Sequence, residues 1–298
     1  MPYPKLPEPE PGEVLLICAC YEEGRAQWDG VLRALGGRRD GQVVALGDGG
    51  VRLRLAEHPE WDYVHGGNFP ALVEEGGAAP PVAVVVDIRA VYGGDAVLLV
   101  DLRDIPGRGA RVPTDGLGPV LADLLVGSLR FDGLVRGMDR FGIYQGDGGT
   151  PAVLTPTTVV RASFPPLPAT ETTLLVRTDF TDDRGWRALV DALGKPDEGS
   201  GGPTGEEFYE DVELSALVVD DRRFEHLQPG QIPAVVPPDE HTTMVALADA
   251  VTLADPAHPL FVVDLYDTPG QAARIPLAEA ASMAVNLEIA NMDFADFV

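Results

Sequence analysis

At 298 residues, the chain is longer than one ordinary core and suits two domains of common size. Hydrophobic residues make up 45% of it and charged ones 23%, the balance of a folded protein and not of a disordered one. Acidic residues outnumber basic ones 47 to 22, giving a net charge of -25, and only Lys5 and Lys195 are lysine; this balance repels phosphate backbones and argues against nucleic acid as a partner.

The acidity favours a solvated monomer or a basic protein partner, and its commonest use is to keep a protein dispersed in water. No stretch approaches the ~18 apolar residues of a membrane helix. Residues 1–12 are proline-rich, lack the apolar region of a signal peptide, and read as an extended tail. The cysteines, Cys18 and Cys20, stand two apart in an apolar segment, where a mutual disulfide is awkward. A reduced, cytoplasmic setting follows.

An internal repeat organises the rest. Trp61 to Val135 lies on Phe224 to Val298 at a constant offset of 163, and VLLVDLRDIPGRGARVP from Val97 shares nine of seventeen residues with LFVVDLYDTPGQAARIP from Leu260. The spacing predicts a first repeat over 13–136, a Gly/Pro/Thr-rich linker over 137–172, and a second repeat over 173–298. Each repeat opens with a buried strand, Val14 to Tyr21 or Leu174 to Phe180. A helix follows, with matched stripes at Trp28, Val31, Leu32 and Leu35 and at Trp186, Leu189, Val190 and Leu193. Gly36 and Gly194 supply stops.

An irregular middle holds short strands at Val51 to Leu55 and Leu214 to Asp220. Two longer strands come next, Val82 to Val91 with Ala96 to Asp104, and Met244 to Leu253 with Leu260 to Asp267; their short connections suggest antiparallel neighbours. Pro-Gly turns at Pro106 and Pro269 lead to strands at Ala110 to Val112 and Ala273 to Ile275, and each repeat closes on a helix. The expected fold is α/β, two tandem copies of a module with a mixed sheet packed by helices. Ala152 to Val160 can add a strand to either sheet.

The second repeat carries the candidate ligand-binding residues. Asp179, Asp182 and Asp183 end its first strand, and Asp264 and Asp267 flank the Pro-Gly turn; carboxylates at strand ends of an α/β sheet are where hard metals are often held. Against this, Thr181 and Asp182 suit the N-cap of a helix near Arg184, and aspartate beside a turn forms local hydrogen bonds. The reading is therefore no metal and no cofactor. Arg177 with Asp179, and Asn286, Asn291 and Asp293 near the chain end, form a second polar set, read as a network locking the last helix. The histidines show neither zinc spacing nor HExxH, and no nucleophile elbow, phosphate loop or dinucleotide fingerprint is present.

The blocks LLVRTDFTDDRGW from Leu174, HPLFVVDLYDTPG from His258 and NLEIANMDFADF from Asn286 resemble a bacterial domain-of-unknown-function family, number 6924. The resemblance covers the C-terminal copy and brings no activity, ligand or catalytic residue with it. The first repeat departs from that pattern: Cys18, Ala19 and Cys20 replace Arg177, Thr178 and Asp179, and Gly127 to Phe131 replaces Ala290 to Phe294. Divergence of polar residues with retention of apolar ones favours a non-catalytic protein-binding module, of an immunity or toxin-neutralising type. The alternatives are a carboxylate or metal-dependent enzyme with its site in the second repeat, and a structural or assembly component.

Overall fold

A computed structural model describes residues 3–21, 24–47, 50–62, 64–73, 80–92, 96–146, 159–193, 214–237 and 242–298. The first repeat builds a seven-stranded sheet. Its middle is parallel: β1 (Glu13–Cys18) lies between β4 (Val51–Glu57) and β5 (Val82–Val86). Two antiparallel ribbons flank it, β2 (Arg38–Asp40) and β3 (Val43–Leu46) beside β4, and β6 (Ala96–Asp101) and β7 (Gly109–Pro113) beside β5. The second repeat builds five strands in the order β12-β11-β10-β8-β9, from β8 (Thr173–Arg177), β9 (Ala216–Val219), β10 (Met244–Ala248), β11 (Leu260–Asp264) and β12 (Ala272–Ile275). Strands β8, β9 and β10 are parallel and answer to β1, β4 and β5.

Both faces of each sheet are covered, so the central strands read as continuous apolar runs. Along β1 the side chains alternate: Val14, Leu16 and Cys18 enter one core, Leu15 and Ile17 the opposite one. Helix α1 (Arg25–Ala34) puts Trp28 and Val31 on the first core, and its counterpart in the second repeat (Asp183–Leu193) does the same with Trp186 and Leu189.

The long strands expected from Val82 and Met244 are corrected. Each ends five residues in and gives way to a short helix, α2 (Phe69–Leu72) being followed by α3 (Ile88–Tyr92) in the first repeat, with Ala250–Ala254 in the second. The cause is an aspartate at each strand end: Asp87 Oδ1 accepts from Ala90 N at 3.0 Å, and Asp249 Oδ1 from Thr252 N at 3.1 Å. The expected antiparallel neighbours remain, with Val82 opposite Asp101 and Met244 opposite Asp264. These registers also correct the constant offset. Asp87 matches Asp249 at 162 while Asp101 matches Asp264 at 163, because the second repeat carries one more residue between them. The ribbon β2-β3 is an addition to the middle read as irregular, and Cys20 lies beyond the end of β1.

α4 (Leu117–Val126) and α5 (Phe131–Arg136) complete the first repeat; α6 (Asp183–Leu193), α7 (Ala250–Ala254) and α8 (Leu277–Glu288) serve the second. Segments outside the sheets are also duplicated. Leu6 N donates to Leu72 O at 2.9 Å and Leu167 N to Val235 O at 2.7 Å, with both leucines buried. The proline-rich start and residues 159–172 thus dock on their repeats in the same way. Residues 137–146 lie against the outer edge of β7, where Arg111 N donates to Gly142 O and Tyr144 N to Arg111 O, both at 2.8 Å. That pairing shields an edge otherwise open to another strand. Of the strand considered at Ala152 to Val160, residues 152–158 lie outside the described residues.

Candidate functional site

Three polar arrangements recur in both repeats, and all of them hold the scaffold. Asp101 accepts backbone N–H groups from Arg103, Asp104 and Ile105 at 2.9–3.0 Å, and Asp264 accepts those of Tyr266, Asp267 and Thr268. Each buried carboxyl therefore organises its Pro-Gly turn. Arg111 donates to Asp87 through its two terminal nitrogens, Nη1 and Nη2, at 3.2 and 2.5 Å, and Arg274 meets Asp249 in the same way. Trp28 Nε1 donates to Glu57 at 2.6 Å, and Trp186 Nε1 to Asp220 at 2.9 Å.

The candidates read from the sequence fall into separate places. Arg177, at the last residue of β8, donates to Asp183 at 2.6 Å, to Asp220 at 3.3 Å and to the Asp179 carbonyl at 2.9 Å, with its guanidinium 4.4 Å from the Phe180 ring. The hydrogen bond from Arg177 holds the exposed Asp183 carboxyl below its ordinary range. Asp179 Oδ1 accepts from Thr181 N and Oγ1, while Asp182 Oδ1 caps α6 by accepting from Arg184 N and Gly185 N. Asp264 stands at the opposite end of the sheet. Arg177 is paired with Ala248 and Asp264 with Met244, so four residues of β10, about 13 Å of strand, separate them.

The second polar set divides as well. Asn291 donates to Asn286 Oδ1 at 2.7 Å, and Asn286 donates to Ser282 O at 2.8 Å, which closes the end of α8. Asp293 turns away to Arg89 of the first repeat, 3.2 Å distant. In that repeat Cys18 and Cys20 hold the positions of Arg177 and Asp179, buried as free thiols. A hydrogen bond between them lowers the Cys18 pKa and raises that of Cys20, which burial raises further. Among the described residues, no three His, Cys, Asp or Glu side chains are grouped to hold a metal ion.

Asp267, by contrast, is a node between the repeats. Arg89 contacts its carboxylate at 2.9 Å, Phe294 N donates to that carboxylate at 2.8 Å, and Arg111 donates to its carbonyl through Nε at 2.9 Å and Nη2 at 2.6 Å. Gly109 N donates to Pro269 O at 2.7 Å, joining the start of β7 to the Pro-Gly turn of the second repeat. Burial raises the pKa of Asp267 although Arg89 opposes the shift. Burial, with the charge of Asp267 added, pushes Asp264 up to about 7 against the three N–H groups that favour its ionised form.

A groove follows this junction. The rings of His65 and Tyr266, one from each repeat, meet edge to face at 5.5 Å. On one side, Cys20, Asp62, Asp87 and Ile88 line a small recess of about 40 Å³ beyond the carboxyl ends of β1 and β5. In open α/β sheets ligands settle at this place, where successive strands run to opposite sides of the first. On the other side, a cleft of about 260 Å³ has Leu287, Ala290 and Met292 in its wall together with Asp264, Asp267, Glu288 and Asp293. The sequence reading missed His65, Asp87, Arg89, Arg111 and Tyr266. The one signal available for them was the identity of Arg111 and Arg274 in the aligned repeats.

No curated protein matches the chain. A model of the family described as Domain of unknown function (DUF6924) matches residues 13–147 and 172–298. The resemblance read in the C-terminal copy thus extends to the first repeat, whose exchanged polar residues do not remove it from the family pattern. The chain belongs to the DUF6924 family, with one copy of the domain in each half.

Proposed function

We propose that this chain is a non-catalytic protein-binding module whose partner carries excess positive charge. The observation that carries the reading is the groove at the junction, where acidic side chains border apolar ones on a chain of net charge -25. The polar arrangements common to both repeats are engaged in turns, caps and inter-strand pairs. Asp264, with its carboxyl poised near neutrality in a cleft, is the group that most favours an enzyme. It holds the same turn that Asp101 holds in the first repeat, which argues for a structural use. Two free buried thiols suit a reducing, cytoplasmic setting.

Complementary charge mainly accelerates encounter, so association with the native partner is expected to slow steeply between about 0.05 and 0.5 M salt while dissociation changes little. Partner capture followed by binding kinetics at both salt levels tests this. A salt-independent association rate, or a partner that is itself acidic, would refute the reading.

A further inference from the structure

We infer that the cleft bounded by Tyr266, Leu287, Glu288, Ala290, Met292 and Asp293 receives an arginine or lysine side chain from a basic segment of the partner. This inference rests on the proposed binding function and names the surface that performs it. The wall has the two chemistries that such a side chain presents. Leu287, Ala290 and Met292 supply apolar surface for a methylene stem, and the carboxylates of Glu288 and Asp293 lie exposed beside it for the charged head. Tyr266, a residue 44% exposed, adds an aromatic side chain to which a cation is attracted.

The four carboxylates of this cleft are not equivalent. Asp264 is tied to its turn, and Asp267 is held by Arg89 and Phe294 N. Asp293 shares Arg89 at 3.2 Å but keeps a side-chain exposure of 57%, and Glu288 makes no ion pair among the described residues. Negative charge in excess of the one guanidinium contact therefore sits at the rim, and an anionic ligand would be repelled. A purely apolar ligand would strip water from Glu288 and Asp293 without replacing it. A side chain with an apolar stem and a cationic head satisfies both requirements. The adjoining recess, across the His65–Tyr266 pair, adds Asp62 to its lining, while Asp87 there is matched by Arg111.

The test uses the full chain and a defined probe, the peptide acetyl-Leu-Arg-Leu-Arg-amide, titrated calorimetrically at low salt beside the same peptide with glutamate for arginine. The arginine peptide is expected to bind and the glutamate peptide not to. Glu288→Gln with Asp293→Asn should weaken binding about fivefold, two exposed charge contacts at the usual strength. Met292→Ala should weaken it through the apolar wall at unchanged charge. Asp191→Asn with Glu279→Gln makes the same change in net charge on exposed positions away from the cleft, and should leave affinity within about twofold. Thermal melts of each variant establish that it is folded. Absence of binding by the arginine peptide overturns the inference. Equal weakening by the distant pair also overturns it, while leaving a charge-steered partner in place. Groove-dependent binding combined with an acidic native partner would instead overturn the functional reading and keep the cleft assignment.

Discussion

Arg108 is expected to be the side chain whose loss most damages the joint between the repeats. It is 2% exposed, and its guanidinium faces Asp101 and Asp132, each at 3.4 Å. Its stem lies against Gly230 and Gly270 of the second repeat, where added Cβ atoms would stand 3.2 and 3.5 Å from it. The corresponding residue of the second repeat is Gln271, which donates to Arg140 O at 2.8 Å. Arg108→Gln thus writes the second repeat's choice into the first and leaves Asp101 buried without its countercharge. Removing one member of a buried pair costs about 3–5 kcal/mol. Asp132 keeps Arg136 at 2.9 Å and is partly exposed, which places the variant at the lower end, about 3 kcal/mol. For a chain of this size unfolding as one unit, that corresponds to a fall of about 5 °C in Tm. Urea and thermal denaturation followed by circular dichroism measure it, with Arg136→Gln as the exposed control at about 0.5 kcal/mol. A change within about 1 kcal/mol for Arg108→Gln would refute the reasoning, since the turn would then tolerate a lone carboxyl in either repeat.

Asp264 sets an expected pH dependence. Its folded pKa of about 7 exceeds the ordinary 3.8, so folding favours its protonated form. That contribution is complete below pH about 4 and is lost as pH rises through about 7, on the order of 4 kcal/mol in all. Asp264→Asn should flatten the stability profile between pH about 4 and 7; an unchanged slope by urea denaturation would remove this assignment. Gly142→Ala, at φ 74° with its Cβ position overlapping Thr268 Oγ1, should cost about 2 kcal/mol or more, against about 1 kcal/mol for Gly146→Ala, which has φ 79° and open space around it. Equal losses would mean that residues 137–146 are not pressed on the second repeat. Adding or chelating divalent metal should leave the Tm unchanged. Stoichiometric metal by elemental analysis, lost on Asp179→Ala, would overturn the capping roles of Asp179 and Asp182.

Of the candidate site, the sequence showed the local part. Asp182 was legible as a helix cap because capping is settled by residues two and three positions on. Asp264 was legible beside its Pro-Gly turn for the same reason. Asp267 and Asp293 were singled out, but the partner they share, Arg89, lies in the other repeat, 178 and 204 positions away. Asp87 and Asp249 were hidden as a matched pair because an ungapped comparison places Asp87 on Ala250. The long strands from Val82 and Met244 were over-read because apolar residues continue into the helices, and only the aspartate caps mark the change.

The duplication, the buried-strand character of β1 and β8, and the amphipathic helices after them were determined by the sequence alone. Each is written in residue spacing: identity at a fixed offset, apolar runs of strand length, and apolar positions at helical period. Tertiary structure decided which ends of the sheets face one another, and therefore which polar residues meet. Arg177 and Asp264 share a sheet but stand at its opposite ends, while Arg111 and Asp267 lie in different repeats and touch. Strand order and the docking of two repeats depend on contacts far apart in the chain, and a residue's spacing from its neighbours carries no record of them.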